Sequence, residues 1–455
     1  YKLTQERNDR ARIRIKRSKT LDFMSEFEAA LDEAKLAEGE ATPESKNRWM
    51  GLHQQAVLLN KMGMSRESLK VATTARDHLV NIGESPQSIS QVESTIGLCH
   101  FYLGEYDNAL ANFENAVKLS KAAKNVRDEA SNTQNMTIIH MQIGNLNKAL
   151  KLQKRVIDVY KEIKNVRSVV NGYGNLSVIY QRLGKYNEAI EYAKRGEEGF
   201  RKLGDRWNLA RSYLNIGFNY TDIGDLHKGL EYCNKGIEMA SLIGEKKMVA
   251  TGKYFLSRIL YEMGDFERAK LLAEESLKMN NEMGEKQGVL SSRHIISLIL
   301  ANREENDRAL TILKEGINHA KDMKDVENVV IYSQTLAKIL HEQGSSDEAF
   351  VFLNDSLELA KNADMAFFEA RALRMIGKLE SNRGNVDEAL KKYLQAEEIF
   401  NRMGVKGGER GKLLLDWGMT LKASNKGGDD KICQARDLFE KSGMVAWKKK
   451  VEKTT

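Results

Sequence analysis

The chain has 455 residues, of which 30% are charged and only 2 are proline, a composition that favours helices and excludes collagen-like, β-sandwich and disordered chains. The formal net charge is +7 but lies at the two ends, because residues 1–20 hold eight basic and two acidic side chains and residues 441–455 hold five lysines and one glutamate. The long middle is nearly neutral and contains no run of about 18 apolar residues, so we predict neither a nucleic-acid partner nor a membrane-spanning helix.

Residues 1–42 form the first predicted segment, a basic helical stretch that would link to an upstream domain or cap the repeats that follow. The chain begins without an initiator methionine or an apolar leader, so we expect neither a signal peptide nor the natural start of the protein. Each of the two prolines follows a cap residue, in Thr42-Pro43 and Ser85-Pro86. Each is predicted to occupy the first position of a helix, where its missing N–H costs nothing.

A repeat of 40 residues runs through residues 43–440. Each unit contains an apolar stretch with helical spacing, an elbow, and a second stretch with small or aromatic residues at positions i, i+4 and i+7, which predicts two helices. Glycine at an elbow allows the positive φ that ends a helix. The elbows lie at Gly63, Gly104, Gly144, Gly184, Gly224, Gly264, Glu304, Gly344 and Gly384, and a longer one spans residues 425–430. We therefore predict about ten helical hairpins, followed by a basic tail at residues 441–455.

A second set of turns joins one unit to the next, and residues such as Asn125, Asp205 and Asp325 recur there. Asparagine and aspartate at these positions are predicted to cap the helix that follows. At Glu304 the elbow lacks its glycine, which predicts a bend or looser packing in that unit.

The repeated residues resemble the tetratricopeptide pattern, most clearly at Gly97, Tyr106, Ala109, Phe113 and Ala116. The 40-residue unit is similar to the variant found in kinesin light chain, in Pins-type adaptors and in the C-terminal sensor arrays of STAND-type NTPases. This resemblance implies an all-α, right-handed superhelical solenoid of about ten helix-turn-helix units, whose first helices line a concave groove.

No motif in the chain predicts catalysis, a metal site or a cofactor. His341 opens a His-Glu-Gln-Gly sequence that is not a zinc motif, and residues 404–412 lack the glycine and the hydroxyl residue of a phosphate-binding loop. We interpret residues 404–412 as an ordinary connection between repeats. Three cysteines far apart in the sequence argue against a disulfide framework and favour a reducing cytoplasm.

Three asparagines occupy one repeat position that, by the resemblance, faces the groove: Asn135, Asn175 and Asn215. An amide can both donate to and accept from the backbone of an extended peptide, so these residues are candidate peptide-binding residues. The alternative is that each asparagine bonds the backbone of the adjacent repeat.

A group of basic residues occupies neighbouring groove positions toward the C-terminus and completes the candidate site: Arg258, His294, Lys338, Arg371, Arg374 and Lys378. Such a basic stripe would hold an acidic or carboxylate-rich segment through charge-assisted hydrogen bonds. The alternative is a solvated surface on which these side chains pair with nearby acids such as Glu369 or Glu380.

We therefore expect a module that binds a protein or peptide and performs no chemistry of its own. Its context would be the sensor array of a larger regulatory protein of the STAND type, because residues 434–447 resemble the closing helix of such arrays. The alternative is a free-standing adaptor that bridges two proteins. The ligand and the oligomeric state stay open.

Overall fold

The computed structural model describes residues 2–452, and this part of the chain consists of 23 helices with no strand. The helices of the first half are α1 (Lys2–Phe23), α2 (Phe27–Glu40), α3 (Lys46–Lys61), α4 (Ser65–Asn81), α5 (Pro86–Tyr102), α6 (Tyr106–Ala122), α7 (Val126–Gln142), α8 (Leu146–Glu162), α9 (Val166–Arg182), α10 (Tyr186–Lys202) and α11 (Arg206–Ile223). The remaining helices are α12 (Leu226–Leu242), α13 (Lys246–Met263), α14 (Phe266–Met283), α15 (Lys286–Asn302), α16 (Asn306–Asp322), α17 (Val326–Glu342), α18 (Ser346–Asn362), α19 (Ala366–Asn382), α20 (Val386–Met403), α21 (Gly408–Ala423), α22 (Asp429–Ser442) and α23 (Val445–Glu452). The all-α fold predicted from the 40-residue repeat is confirmed.

The elbows within the hairpins form as predicted. At Gly104 the φ angle is 77°, and the backbone N–H of Glu105 donates to the carbonyl of His100 at 2.9 Å, which closes the end of α5. Glu304 adopts a φ of 64°, and the N–H of Glu305 donates to the carbonyl of Leu300 at 3.0 Å. The missing glycine therefore does not loosen this turn.

Asparagine and aspartate side chains cap several of the turns between hairpins, as the sequence indicates. Asn125, Asp205 and Asp325 each accept a hydrogen bond from the backbone N–H three residues later, at 3.0 to 3.1 Å. These bonds satisfy N–H groups that a helix start leaves without an intrahelical partner.

The two prolines behave differently. Ser85 caps α5, and Pro86 is its first residue, as predicted. The same prediction for Thr42-Pro43 is wrong, because α3 begins only at Lys46 and is capped by Ser45. The Thr42 backbone N–H instead donates to the Asn8 side chain at 3.1 Å, which holds this segment against α1.

Small residues on the second helices allow close packing. A Cβ on Gly236 would lie 2.6 Å from a methyl carbon of Leu214, and one on Gly316 would overlap the ring of Tyr332. Tyr332 is fully buried and donates its hydroxyl to the Leu290 carbonyl at 2.6 Å. A larger residue at these positions would force the helices apart.

The chain divides into two compact units, and the boundary follows Gly172 within α9. In the first unit, α1 and α2 form a hairpin that packs on α3. Arg14 of α1 pairs with Glu33 and Glu40 of α2 at 3.2 and 2.8 Å, so part of the basic charge of this hairpin is neutralised internally. Boundaries at residues 42 and 440 stay predictions, and residues 453–455 of the predicted tail lie outside the described part of the chain.

Within the second unit, the C-terminal hairpins return to the elbows of its early repeats. A Cβ on Gly184 would lie 2.5 Å from Met403, one on Gly264 would lie 2.7 Å from Ala446, and one on Gly224 would overlap the backbone of Gly407. By contrast, a Cβ at several other elbows would meet nothing within 4 Å, namely at Gly63, Gly104, Gly144, Gly344 and Gly384. Close contact with the C-terminal hairpins therefore distinguishes three consecutive elbows of the second unit.

Candidate functional site

A cavity of about 370 Å³ opens on the first helices of the late repeats in the second unit. Helices α13, α15, α17 and α19 provide one wall, with side chains such as His294 and Arg371, while α21 and α23 close the other side with Asp416 and Trp447. The same C-terminal segment that packs on the early elbows thus also encloses the cavity.

Charged side chains dominate the cavity wall. Its basic residues are Lys338, Arg371, Arg374, Lys378, Lys412 and Lys450, and its acidic residues are Glu262, Glu342, Glu409 and Asp416. Basic residues outnumber acidic ones, so at neutral pH a monoanionic group is favoured in the cavity over a cationic one.

An ion-pair network joins α19 to α21. Arg374 Nη1 lies 2.6 Å from Asp416 Oδ2, and Arg374 Nη2 lies 3.4 Å from Glu409 Oε2. Lys412 Nζ lies 2.8 Å from Glu409 and 3.0 Å from Glu262, so α13 joins the same network. Burial would raise the pKa of Glu409, but the neighbouring Lys412 and Arg374 more than offset it and hold that pKa well below its usual range.

Arg371 is held by a neutral partner. Its Nε donates to the Gln334 Oε1 at 2.7 Å, and the Gln334 Nε2 donates in turn to the Phe368 carbonyl at 2.9 Å. Gln334 is fully buried, and the Arg371 guanidinium lies over the Phe368 ring at 5.6 Å. Among the described residues, no carboxylate lies within 4 Å of Arg371, and burial lowers its pKa although Glu409 acts in the opposite direction.

Burial lowers the pKa of both Lys338 and His294. Lys338 lies 4.0 Å from Glu342, and burial lowers its pKa although 40% of the side-chain surface faces the open volume of the cavity. His294 is buried, its Nε2 lies 2.9 Å from the Thr335 Oγ1, and burial lowers its pKa to about 3. His294 is therefore a neutral polar group at physiological pH.

The basic residues of the candidate site do not form one open stripe. Five of them line the cavity: His294, Lys338, Arg371, Arg374 and Lys378. Arg258 does not, because it pairs with the buried Asp222 and lies over the ring of Phe218.

The acids that pair with these residues come from unexpected parts of the chain. Arg374 and Lys378 contact Asp416, whereas Glu380, which the sequence offered as a local partner, accepts a hydrogen bond from Asn385 at 2.7 Å. The partners come from a later repeat because α19 packs against α21.

The three asparagines are half-buried on first helices, Asn135 in the first unit and Asn175 and Asn215 in the second. None of them lines the cavity. Their arrangement as one ladder along a groove stays a prediction.

Sequence reasoning missed four residues that complete the cavity: Glu262, Glu409, Lys412 and Trp447. The only local signal was the glycine-rich sequence of residues 404–412, which we interpret from the sequence as an ordinary connection between repeats. That segment is the connection between α20 and α21 followed by the first turn of α21, as interpreted, and its glycines allow the backbone to approach Gly224.

Residues 88–162, 129–202 and 208–282 match the family model of the tetratricopeptide repeat. These segments are tetratricopeptide repeats. The resemblance inferred from the sequence is thereby confirmed. A comparison with curated protein sequences gives no match.

Several solved structures have the same fold, among them the following three. A Rap protein complexed with competence and sporulation factor aligns with a TM-score of 0.61 and 13% identity, over 79% of this chain and 99% of that one. The Rap conjugation gene regulator of plasmid pLS20, in complex with the Phr* peptide, aligns with a TM-score of 0.54 and 13% identity, over 78% and 95%. The apo quorum sensor NprR from B. thuringiensis aligns with a TM-score of 0.53 and 16% identity, over 78% and 98%.

Proposed function

We propose that this chain is a ligand-binding module of a regulatory protein, and that a peptide or protein segment enters the cavity of its second unit. The observation that carries the proposal is the enclosed cavity on the first helices, where buried polar side chains such as Gln334 and Thr335 have fixed partners. Such a concave site with a few oriented polar groups is typical of ligand binding. The Phr* complex of a protein with the same fold supports the choice of a peptide.

The size of the cavity limits what enters it. A volume of about 370 Å³ lies at the lower end of the range for small-molecule pockets. It accommodates a few side chains or one end of a peptide rather than a long extended segment. The surplus of basic residues on its wall favours an acidic ligand.

We place this module in a larger regulatory protein, as the resemblance to STAND-type sensor arrays implies, and in the cytoplasm. Cys99 and Cys233 are buried and unpaired, which fits a reducing compartment. A free-standing adaptor that bridges two proteins would need two binding surfaces. The cavity accounts for one of them. A nucleotide-binding domain encoded upstream in the same gene would support the sensor, and a gene that starts shortly before residue 1 would support the adaptor.

The proposal is tested by selecting peptides from a random library on the intact chain and on a variant with a filled cavity. Leu298 lines the cavity, so Leu298→Trp should occupy part of its volume. Leu394 is exposed on α20 outside the cavity, and Leu394→Trp is the matched control. We expect selected peptides to bind the parent chain and the control, and to bind Leu298→Trp at least tenfold more weakly. Equal binding to all three, with an intact helical spectrum, would place the ligand elsewhere.

A further inference from the structure

The pairing of charges around the cavity is uneven. Four of its six basic residues have a carboxylate within 4 Å, namely Lys338, Arg374, Lys378 and Lys412. Lys450 is exposed to solvent and lies over the Trp447 ring at 5.1 Å. Arg371 is the half-buried cation of the described cavity wall whose guanidinium meets no carboxylate.

Hydrogen bonds hold Arg371 in place, but no carboxylate in the described part of the chain neutralises its positive charge. Gln334 and the Phe368 carbonyl hold the Nε side of the guanidinium, and among the described residues nothing accepts a hydrogen bond from its two Nη groups. Burial removes part of the hydration of this guanidinium and lowers its pKa, and no anion among the described residues compensates for the lost water. A ligand that supplies the anion would relieve this cost.

We infer that Arg371 is the receptor for one carboxylate of the ligand, which would accept hydrogen bonds from both Nη groups. The inference rests on the proposed function of the same cavity and names the chemical group that the cavity recognises. The planar guanidinium matches the two oxygens of a carboxylate, and such bidentate pairs are among the stronger hydrogen-bonded contacts in proteins.

The surroundings favour a single monoanion over a more highly charged group. Glu409 and Glu262 contribute negative potential at Arg371, while Arg374 and Arg258 contribute positive potential. His294 is neutral and adds no positive charge. The second unpaired cation of the described wall, Lys450, is exposed to solvent, so one carboxylate balances the charge of Arg371, whereas a phosphate dianion would place a further negative charge near Glu409.

Three small probes test the inference on the intact chain. N-acetylglycine carries a terminal carboxylate, N-acetylaspartic acid amide carries a side-chain carboxylate, and N-acetylglycinamide carries neither. In NMR or calorimetric titrations we expect at least one of the two acids to bind at least tenfold more tightly than N-acetylglycinamide. The tighter acid identifies whether a chain end or an acidic side chain is the source. Equal binding of acid and amide, or tighter binding of inorganic phosphate, would overturn the carboxylate site.

Variants of the chain locate the site. Arg371→Gln should reduce acid binding at least tenfold, whereas Arg402→Gln, the same change at an exposed arginine of α20, should leave it unchanged. Arg371→Lys keeps the charge but loses the planar fork, so it should also bind more weakly than the parent chain. Both variants change the donor to the buried Gln334, so binding is measured below the melting temperature of each variant. Undiminished acid binding in both Arg371 variants would overturn the assignment.

The outcome separates this inference from the proposed function. If library peptides bind the parent chain but not Leu298→Trp, and neither acid binds, the cavity is a peptide site and Arg371 is not its carboxylate receptor. If the acids bind at Arg371 and no peptide is selected, the carboxylate site stands and the peptide ligand is wrong.

Discussion

Arg374 of α19 lies with its Nη1 only 2.6 Å from the Asp416 Oδ2 of α21, and both side chains are almost entirely buried, at 12% and 11% exposure. Helices α19 and α21 are the first helices of neighbouring hairpins, and α20 lies between them in the sequence. The ion pair links α19 directly to α21. Arg374 thus has a buried carboxylate partner, and its role in ligand binding stays a prediction.

We expect Arg374→Ala to destabilise the second unit by about 3 kcal/mol, because the buried Asp416 would lose its nearest cation and Glu409 would keep only Lys412. Lys378→Ala is the matched control on the same helix, since that ammonium is 44% exposed and lies 3.6 Å from Asp416. Its effect should stay below about 1 kcal/mol. Urea unfolding of both variants measures the difference. Equal stabilities of the two variants would show that the buried pair contributes no more than a surface pair.

The pKa of Glu409 predicts a pH dependence. This carboxyl is held well below its usual pKa in the folded chain, so its stabilising effect is present above the unfolded value of 4.5 and is lost as the pH falls through the folded value. Glu409→Gln should therefore be less stable than the parent chain at pH 7, and the gap should narrow steadily below pH 4.5. Free energies of unfolding measured from pH 7 to pH 3 test this. A gap that does not change with pH would contradict it.

The elbow at Gly224 tests the contact with the C-terminal hairpins. Gly224 and Gly344 have nearly the same φ, 91° and 89°, but a Cβ on Gly344 would meet nothing within 4 Å. Gly344→Ala therefore measures the cost of positive φ, about 1–2 kcal/mol. Gly224→Ala should cost about 1–3 kcal/mol more, because the new methyl group would overlap Gly407. Chemical denaturation gives both values, and equal costs would show that the C-terminal hairpins do not press on this elbow in solution.

The asparagine hypothesis applies within the second unit to Asn175 and Asn215. If both bond a peptide backbone, Asn175→Ala with Asn215→Ala should weaken binding of a library-selected peptide about tenfold or more, at about 0.5–1.5 kcal/mol for each lost bond. Asn354→Ala, at an exposed asparagine of α18, is the control. A double variant that melts much earlier but binds normally at low temperature would assign these side chains to the fold.

The repeat and its turns could be predicted from the sequence because both depend on local residues. Glycine elbows and caps such as Asn125 depend on residues a few positions apart, so they recur in the sequence at a fixed period and can be recognised there. The neutralisation of the basic groove residues could not be predicted in this way. Asp416 and Glu409 approach Arg374 only because helices from different repeats pack together, and Trp447 lies in a short helix beyond the repeat. Periodicity shows which residues share a wall, and it does not show which distant segment closes it.

The C-terminal hairpins contact the elbows at Gly184, Gly224 and Gly264, and these contacts affect how the second unit folds. In an open array each repeat contacts its neighbours, so folding can start anywhere and proceed through contacts that are short in sequence. The contact of Gly224 with Gly407, and the hydrogen bond of 3.2 Å from the Lys406 N–H to the Ile223 carbonyl, join residues about 180 positions apart. Forming this contact before the intervening repeats fold would require closure of a long flexible loop, so we expect it to form after them. During synthesis, the three covered elbows therefore stay exposed until residues 403–446 leave the ribosome, and the cavity forms only after that.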